Sequence, residues 1–154
     1  MRCSWVTIAV AAAIAAGSAP ARAEGVALGV FVGEPLGLDV LTGLSGDGAL
    51  DLVIGVSSWR GAGREISYGH LTYLHRLTAA RGRHVSLPLR LGLGGALRGV
   101  LESDVKVAAR VPLEVGLQFN GTPLELYGKI AFVLQLIDRV DTDVNGGVGI
   151  RLFL

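Results

Sequence analysis

The feature that most constrains this chain is a long alternation of apolar and other residues. Between positions 105 and 119 the sequence reads VKVAARVPLEVGLQF, and every odd-numbered position in it is apolar. The even-numbered positions hold lysine, arginine, glutamate, glutamine and small residues instead. Successive side chains of a β-strand leave on opposite faces, so the pattern predicts one long strand with a continuous apolar face.

Turn-forming residues divide the rest of the chain into segments of the same kind. Clusters rich in Gly, Pro, Asn, Asp and Ser occur at 33–35, 45–48, 60–63, 79–83, 99–104, 120–121 and 138–145. The intervening segments predict strands at 25–33, 36–43, 49–57, 65–77, 85–98, 105–119, 122–137 and 146–154. No segment has a helical stripe, so we expect an all-β fold of eight antiparallel strands in up-and-down order.

The register of two hairpins can also be predicted. A two-residue turn at Asn120-Gly121 would pair Phe119 with Thr122 and Leu117 with Leu124, which keeps the apolar faces together. A slip by one residue would set leucines against glutamate and glycine, so the pattern specifies the facing. In the preceding hairpin, a tip near Leu101 would place Gly92 opposite Arg110.

The facing of the leucines leaves two architectures open. A soluble barrel of the lipocalin kind would turn them inward around an apolar ligand, whereas a membrane barrel would turn them toward lipid. The opposite face carries many small residues beside a few long charged ones. An interior of eight strands is only just wide enough for side chains, which favours that face as the inside of a transmembrane β-barrel. For the less regular fourth strand we expect Leu71 and Tyr73 outside, with His70 and Thr72 inside.

The first 23 residues, MRCSWVTIAVAAAIAAGSAPARA, are typical of a secretory signal peptide. Arg2 precedes an apolar run at 5–16, and Ala21-Arg22-Ala23 forms a small-x-small cleavage site. We therefore expect Sec-type export, with residues 24–154 as one barrel domain. The formal charge of +1 would fall to −1 on loss of Arg2 and Arg22, which argues against a nucleic-acid partner. The single cysteine, Cys3, would leave with the signal, so no disulfide is expected.

The segment 24–154, which ends in the glycine-rich NGGVGIRLFL, resembles small bacterial outer-membrane β-barrels. These are the OmpA-like and OmpX-like eight-stranded barrels and related barrels with short loops. The resemblance implies a Gram-negative outer-membrane location, with outer-membrane lipid as the surroundings. It also implies periplasmic chaperones and the barrel-assembly machinery as partners during biogenesis. The short outer loops leave little surface for a large receptor site, which favours a structural or envelope-maintenance role over adhesion. With both termini in the periplasm, the loops at 34–35, 58–64, 99–104 and 138–145 would face outward.

The face opposite the leucines carries nine charged residues. They are Asp39, Asp51, Arg90, Lys106, Arg110, Glu114, Glu125, Lys129 and Arg151. An unpaired charge inside a barrel would be costly, so we expect interlocked ion pairs that plug the lumen, with Glu114 diagonal to Lys129. A proton relay or a small ion-conducting pore is the alternative for the same residues.

The sequence also admits an enzymatic interpretation. A lipid-modifying hydrolase could use Ser67 with His70 or His75 and an acid such as Glu65, but a catalytic triad is recognised by geometry and not by spacing. The three histidines have no metal-ligand spacing. The sequence therefore predicts no catalytic, cofactor-binding or metal-binding residues.

Overall fold

The computed structural model describes residues 25–44, 46–57, 66–101, 105–137 and 140–154. The predicted signal peptide, the turn at 60–63 and Glu65 lie outside these ranges. The described residues form eight strands: β1 Val26–Gly33, β2 Leu36–Gly43, β3 Gly48–Ser57, β4 Ile66–Arg81, β5 Val85–Arg98, β6 Lys106–Phe119, β7 Leu124–Gln135 and β8 Asp141–Phe153. No helix long and apolar enough to cross a membrane occurs in this part of the chain.

The eight strands close into a single barrel. Each strand pairs antiparallel with the next along the chain, and β8 pairs with β1. The predicted all-β fold of eight antiparallel strands in up-and-down order is confirmed. Closure gives every strand two hydrogen-bonded neighbours, which removes the exposed edges that an open sheet would present to other chains.

Two strands are longer than their sequence patterns predict. β4 continues to Arg81 instead of ending near 77, and β8 begins at Asp141 instead of 146. The register of β4 shifts between Arg76 and Thr78, and beyond this bulge Arg81 still pairs with Ser86 of β5. The turn-forming residues at 141–145 pair with the end of β7. A neighbouring strand that offers hydrogen bonds overrides the local preference for a turn.

Both predicted registers are wrong by two residues. Leu117 pairs with Leu126, because the loop after Phe119 spans 120–123 rather than two residues. The Thr122 amide closes this loop on the carbonyl group of Phe119 at 3.2 Å, and Pro123 has no amide hydrogen to extend the ladder. In the hairpin before it, Gly94 and not Gly92 faces Arg110. Since the period of a strand is two, the apolar faces match as predicted despite the shift.

The leucine-rich face lies on the outside of the barrel and the charged face lies inside. Outward side chains such as Leu38, Ile54 and Leu93 are 60–67% exposed. Inward positions alternate between small residues and the charged groups. The fourth strand follows the predicted facing, with Leu71 and Tyr73 exposed and with His70 and Thr72 buried. The lipocalin-like arrangement, in which the leucines line an interior cavity, is not the arrangement of the described strands.

Candidate functional site

Arg151 occupies the centre of a buried ionic network in the barrel interior. It comes from β8 and is fully buried. Its Nε donates to Asp39 on β2 at 2.7 Å, and its Nη2 donates to Asp51 on β3 at 2.8 Å. Its two terminal nitrogens also bond both oxygens of Glu114 on β6 at 3.0 Å, and Nη1 reaches Glu125 on β7 at 3.1 Å. One guanidinium group thus connects strands on opposite sides of the lumen.

Two further cations complete the network. Arg90 on β5 donates to Glu114 at 2.7 Å and to both oxygens of Glu125 at 2.8 and 2.9 Å. Lys129 on β7 donates to Asp51 at 2.6 Å and lies 3.2 Å from Glu114. Glu114 lies directly opposite Lys129 and not diagonal to it, because of the two-residue register shift.

The network contains four carboxylates and three cations. The carboxylates are Asp39, Asp51, Glu114 and Glu125, and the cations are Arg90, Lys129 and Arg151. Neutral donors share the carboxylate oxygens: Tyr127 donates its hydroxyl hydrogen to Asp39, and Gln118 donates to Glu125 at 2.6 Å. His70 Nε2 lies 3.2 Å from Asp51. Asp39 Oδ1 differs from the bonded carboxylate oxygens, because it is buried without a hydrogen-bond partner among the described residues.

Aromatic rings pack on the cations of the network. The Arg151 guanidinium carbon lies 3.7 Å from the centroid of the Tyr127 ring, and Lys129 Nζ lies 5.3 Å from it. Phe31 of β1 stacks on Tyr127 with centroids 5.9 Å apart. Gly149 makes room for this ring, since a Cβ at that position would overlap the Tyr127 side chain. All eight strands therefore contribute a side chain to the network or to its packing.

The two ends of the interior differ from the centre. At the end with the 120–123 turn, apolar residues form a cluster of Ala27, Leu41, Ala49 and Leu74, against which Phe153 packs. An open cavity of about 890 Å³ lies there, and Arg90 and Gln118 are among the residues that line it. The network thus closes the inner end of this vestibule.

At the opposite end, the two remaining charged residues of the predicted set lie apart from the carboxylates of the network. Arg110 is 2% exposed and bonds the hydroxyl group of Tyr68 at 3.4 Å. Lys106 is half-buried and pairs with Arg98 in the β5–β6 ladder. The structure therefore brings together seven of the nine predicted interior charges, and places Lys106 and Arg110 outside this network.

The described residues that were candidates for a hydrolase, Ser67, His70 and His75, do not converge. Ser67 and His70 are three positions apart on β4, so their side chains leave on opposite faces of the strand. Ser67 Oγ accepts the Leu101 amide at 3.0 Å, and His75 is exposed on the outer face. Within the described ranges, no group of three or more His, Cys, Asp or Glu residues has a metal-binding arrangement.

Several interior residues were not part of the predicted charge network. His70, Tyr127 and Gln118 belong to the inward-facing set, but the alternation does not reveal which carboxylate each one contacts. Asn145, which is buried, lies in a segment predicted as a turn. Arg98 also faces inward and is 8% exposed. Continuing the alternation to the last residue of the predicted strand 85–98 would have identified it.

Comparison of the chain with protein-family models, with curated proteins and with solved structures gives no match.

Proposed function

We propose that this protein is a non-enzymatic integral β-barrel of a bacterial outer membrane, in which a salt-bridged plug fills the lumen. We infer that it has a structural role or a role in maintaining the cell envelope. The observation that carries the proposal is the inverted distribution of residues. Charged side chains are buried inside, while exposed leucine, isoleucine, valine and phenylalanine cover the outer face. This is the distribution that a hydrocarbon environment requires of a closed barrel.

The length of the strands supports the same environment. β4 to β8 contain between 12 and 16 residues each. About nine to eleven residues suffice for a tilted strand to cross the hydrocarbon layer. β1 and β2, with 8 residues each, are shorter, so the thickness of the apolar belt varies around the barrel.

The network supports a structural role over a transport role. Arg151 connects β2, β3, β6 and β7 across the lumen, and Arg90 adds β5 to the same carboxylates. An interior of eight strands has room for side chains but not for an open aqueous channel. We infer that the plug holds the barrel in one register and prevents solute flow. Orientation with both termini in the periplasm would place the 890 Å³ vestibule on the periplasmic side.

Cell fractionation tests the location. Expressed in a Gram-negative host with its predicted signal peptide, the protein should sediment with the outer membrane and be extracted only by detergent. The purified barrel should also migrate differently on gels before and after boiling, because a closed barrel resists mild detergent. Recovery in the periplasmic fraction without detergent, with no effect of boiling, would contradict the proposal and favour a soluble barrel whose vestibule binds an apolar ligand.

Bilayer recording tests the plug. The unmodified protein should give no steady conductance in planar bilayers, since its interior charges are paired across the lumen. A variant with Glu114→Ala and Glu125→Ala together should show intermittent openings, because Arg90 and Arg151 lose the acceptors that hold them. An Asp47→Ala variant is the control, since Asp47 pairs with Arg76 at the exposed end of the barrel. Stable channels of one size from the unmodified protein would identify it as a pore.

A further inference from the structure

We propose that the vestibule binds a medium-chain fatty-acid carboxylate. This vestibule is the open cavity of about 890 Å³ at the end of the barrel with the 120–123 turn. The carboxylate group binds at Arg81, close to the β4–β5 turn, and the hydrocarbon chain covers the apolar side of the cavity. The proposal rests on the lining of the cavity alone. It holds whether the outer face of the barrel meets lipid or water, so it does not depend on the proposed function.

One side of the vestibule is apolar. Leu41 of β2, Ala49 of β3 and Phe153 of β8 line it. Leu41 and Ala49 are buried, whereas Phe153 packs against them and is only half-buried. Ala79 and Pro123, which are also half-buried, extend the lining toward the two neighbouring turns. A partly exposed aromatic ring inside a cavity offers apolar surface that a hydrocarbon chain can remove from water.

The opposite side of the vestibule carries arginine side chains. β4 and β5 lie across the closed ring of eight strands from β8 and β1. Arg76 and Arg81 of β4 and Arg90 of β5 line the cavity from there. Arg90 is bound to carboxylates of the network, and Arg76 is paired with Asp47, the one acid of the described lining. Among the described residues, no acidic side chain lies within ion-pair distance of Arg81.

The two sides together determine the chemical class of the ligand. Arg81 offers a planar set of N–H donors that a carboxylate can accept as a pair. Arg76 adds positive charge, and its pair with Asp47 involves only Nε and Nη2 of the guanidinium group. A neutral apolar ligand would leave Arg81 without a partner, and an inorganic anion would leave the apolar side in water. An anion with a hydrocarbon chain satisfies both sides.

The dimensions of the vestibule favour a chain of medium length. A volume of about 890 Å³ lies within the usual range of ligand cavities, roughly 300–1,000 Å³. Arg81 pairs with Ser86, and the network begins at Arg90 of the same strand. Four residues of a strand span about 14 Å, which is the depth between the outer arginine and the network. The network closes the inner end, so a long chain would extend back out of the cavity.

Photolabelling tests the proposal, because the label reports its own position. A decanoic acid with a diazirine at the end of its chain is irradiated with the purified barrel in dodecyl maltoside micelles, and the labelled residues are identified by mass spectrometry. Labels should fall on lining residues such as Phe153 and Ala79. Decanoate should compete in a saturable way. Acetate lacks the chain and decanol lacks the charge, so both should compete poorly.

Variants of the arginine side make the result specific. Arg81→Met should lower the affinity for decanoate by about 10-fold, the effect of losing a charge-assisted hydrogen bond. Ala79→Glu should weaken binding more strongly, because it places a carboxylate beside Arg81. Arg83→Met is the matched control, since Arg83 is exposed on the same hairpin but does not line the cavity. The gel mobility before and after boiling verifies that each variant is folded.

Three results would overturn the proposal. The first is labelling confined to outward residues such as Leu91, which would place the probe in the micelle around the barrel. The second is equal competition by decanoate and decanol, which would show that the cavity does not select an anion. The third is an equal affinity of the unmodified protein, Arg81→Met and Arg83→Met for decanoate.

Discussion

Replacing Arg151 by methionine is expected to lower the free energy of unfolding by about 3–5 kcal/mol, the usual cost of removing one partner from a buried ion pair. Arg151 bonds four carboxylates, and its loss would leave four acids with two cations in the barrel interior. Methionine fills part of the volume but compensates none of this charge. The measurement is reversible unfolding by urea in lipid vesicles, followed by the difference in gel mobility between folded and unfolded protein.

An exposed ion pair provides the matched control for Arg151. Arg76 pairs with Asp47 at the rim, where the two side chains are 33% and 51% exposed. Arg76→Met should therefore cost less than about 1 kcal/mol, the range of surface pairs. An Arg151→Lys variant should lie between the two, because lysine keeps the charge but cannot bond several carboxylates with a planar fork. Equal small losses for Arg151→Met and Arg76→Met would refute a stabilising role for the network.

Replacing Leu91 by arginine is expected to cost about 2–4 kcal/mol in a bilayer, because in the proposed outer-membrane location it would place a charge in the hydrocarbon near the midplane. Leu91 lies at the middle of β5 and is 42% exposed. It pairs with Leu113, which pairs with Ile130, so three neighbouring strands present large apolar side chains at this level. The same urea titration in vesicles measures the effect.

Leu87 is a matched control for Leu91 on the same strand. It has the same residue type, faces the same side and is 43% exposed, but it lies four residues closer to the end of β5. The cost of a charge falls to about 0–1 kcal/mol near the interface, so Leu87→Arg should be much milder than Leu91→Arg. Leu91→Ala should also be mild, since alanine introduces no charge. Similar costs for both arginine variants would show that this face does not meet a lipid layer.

Much of the fold could be predicted because successive side chains of a β-strand point to opposite faces of the sheet. The facing of each strand is therefore visible in the sequence as an alternation with a period of two. The alternation within the segments, clearest at the odd positions of β6, and the seven clusters of turn-forming residues together predicted the number of strands, their order and their facing. Even the register errors kept the apolar faces together, since both were shifts by two residues. The errors in length at Arg81 and Asp141 arose where a neighbouring strand continues the ladder past residues that favour a turn locally.

The sequence by itself determined that charged residues share one face of the strands and that leucines share the other. Only the tertiary structure decided which charges meet. Arg151 and Asp39 are 112 residues apart and bond at 2.7 Å, whereas Arg110 lies in the same interior and bonds the neutral hydroxyl group of Tyr68. The physical reason is that the alternation of apolar and polar residues determines only the face of the sheet toward which each side chain points. That facing is a local property of the strand. Contact across the lumen depends on closure of the barrel and on the register of every strand between the two residues.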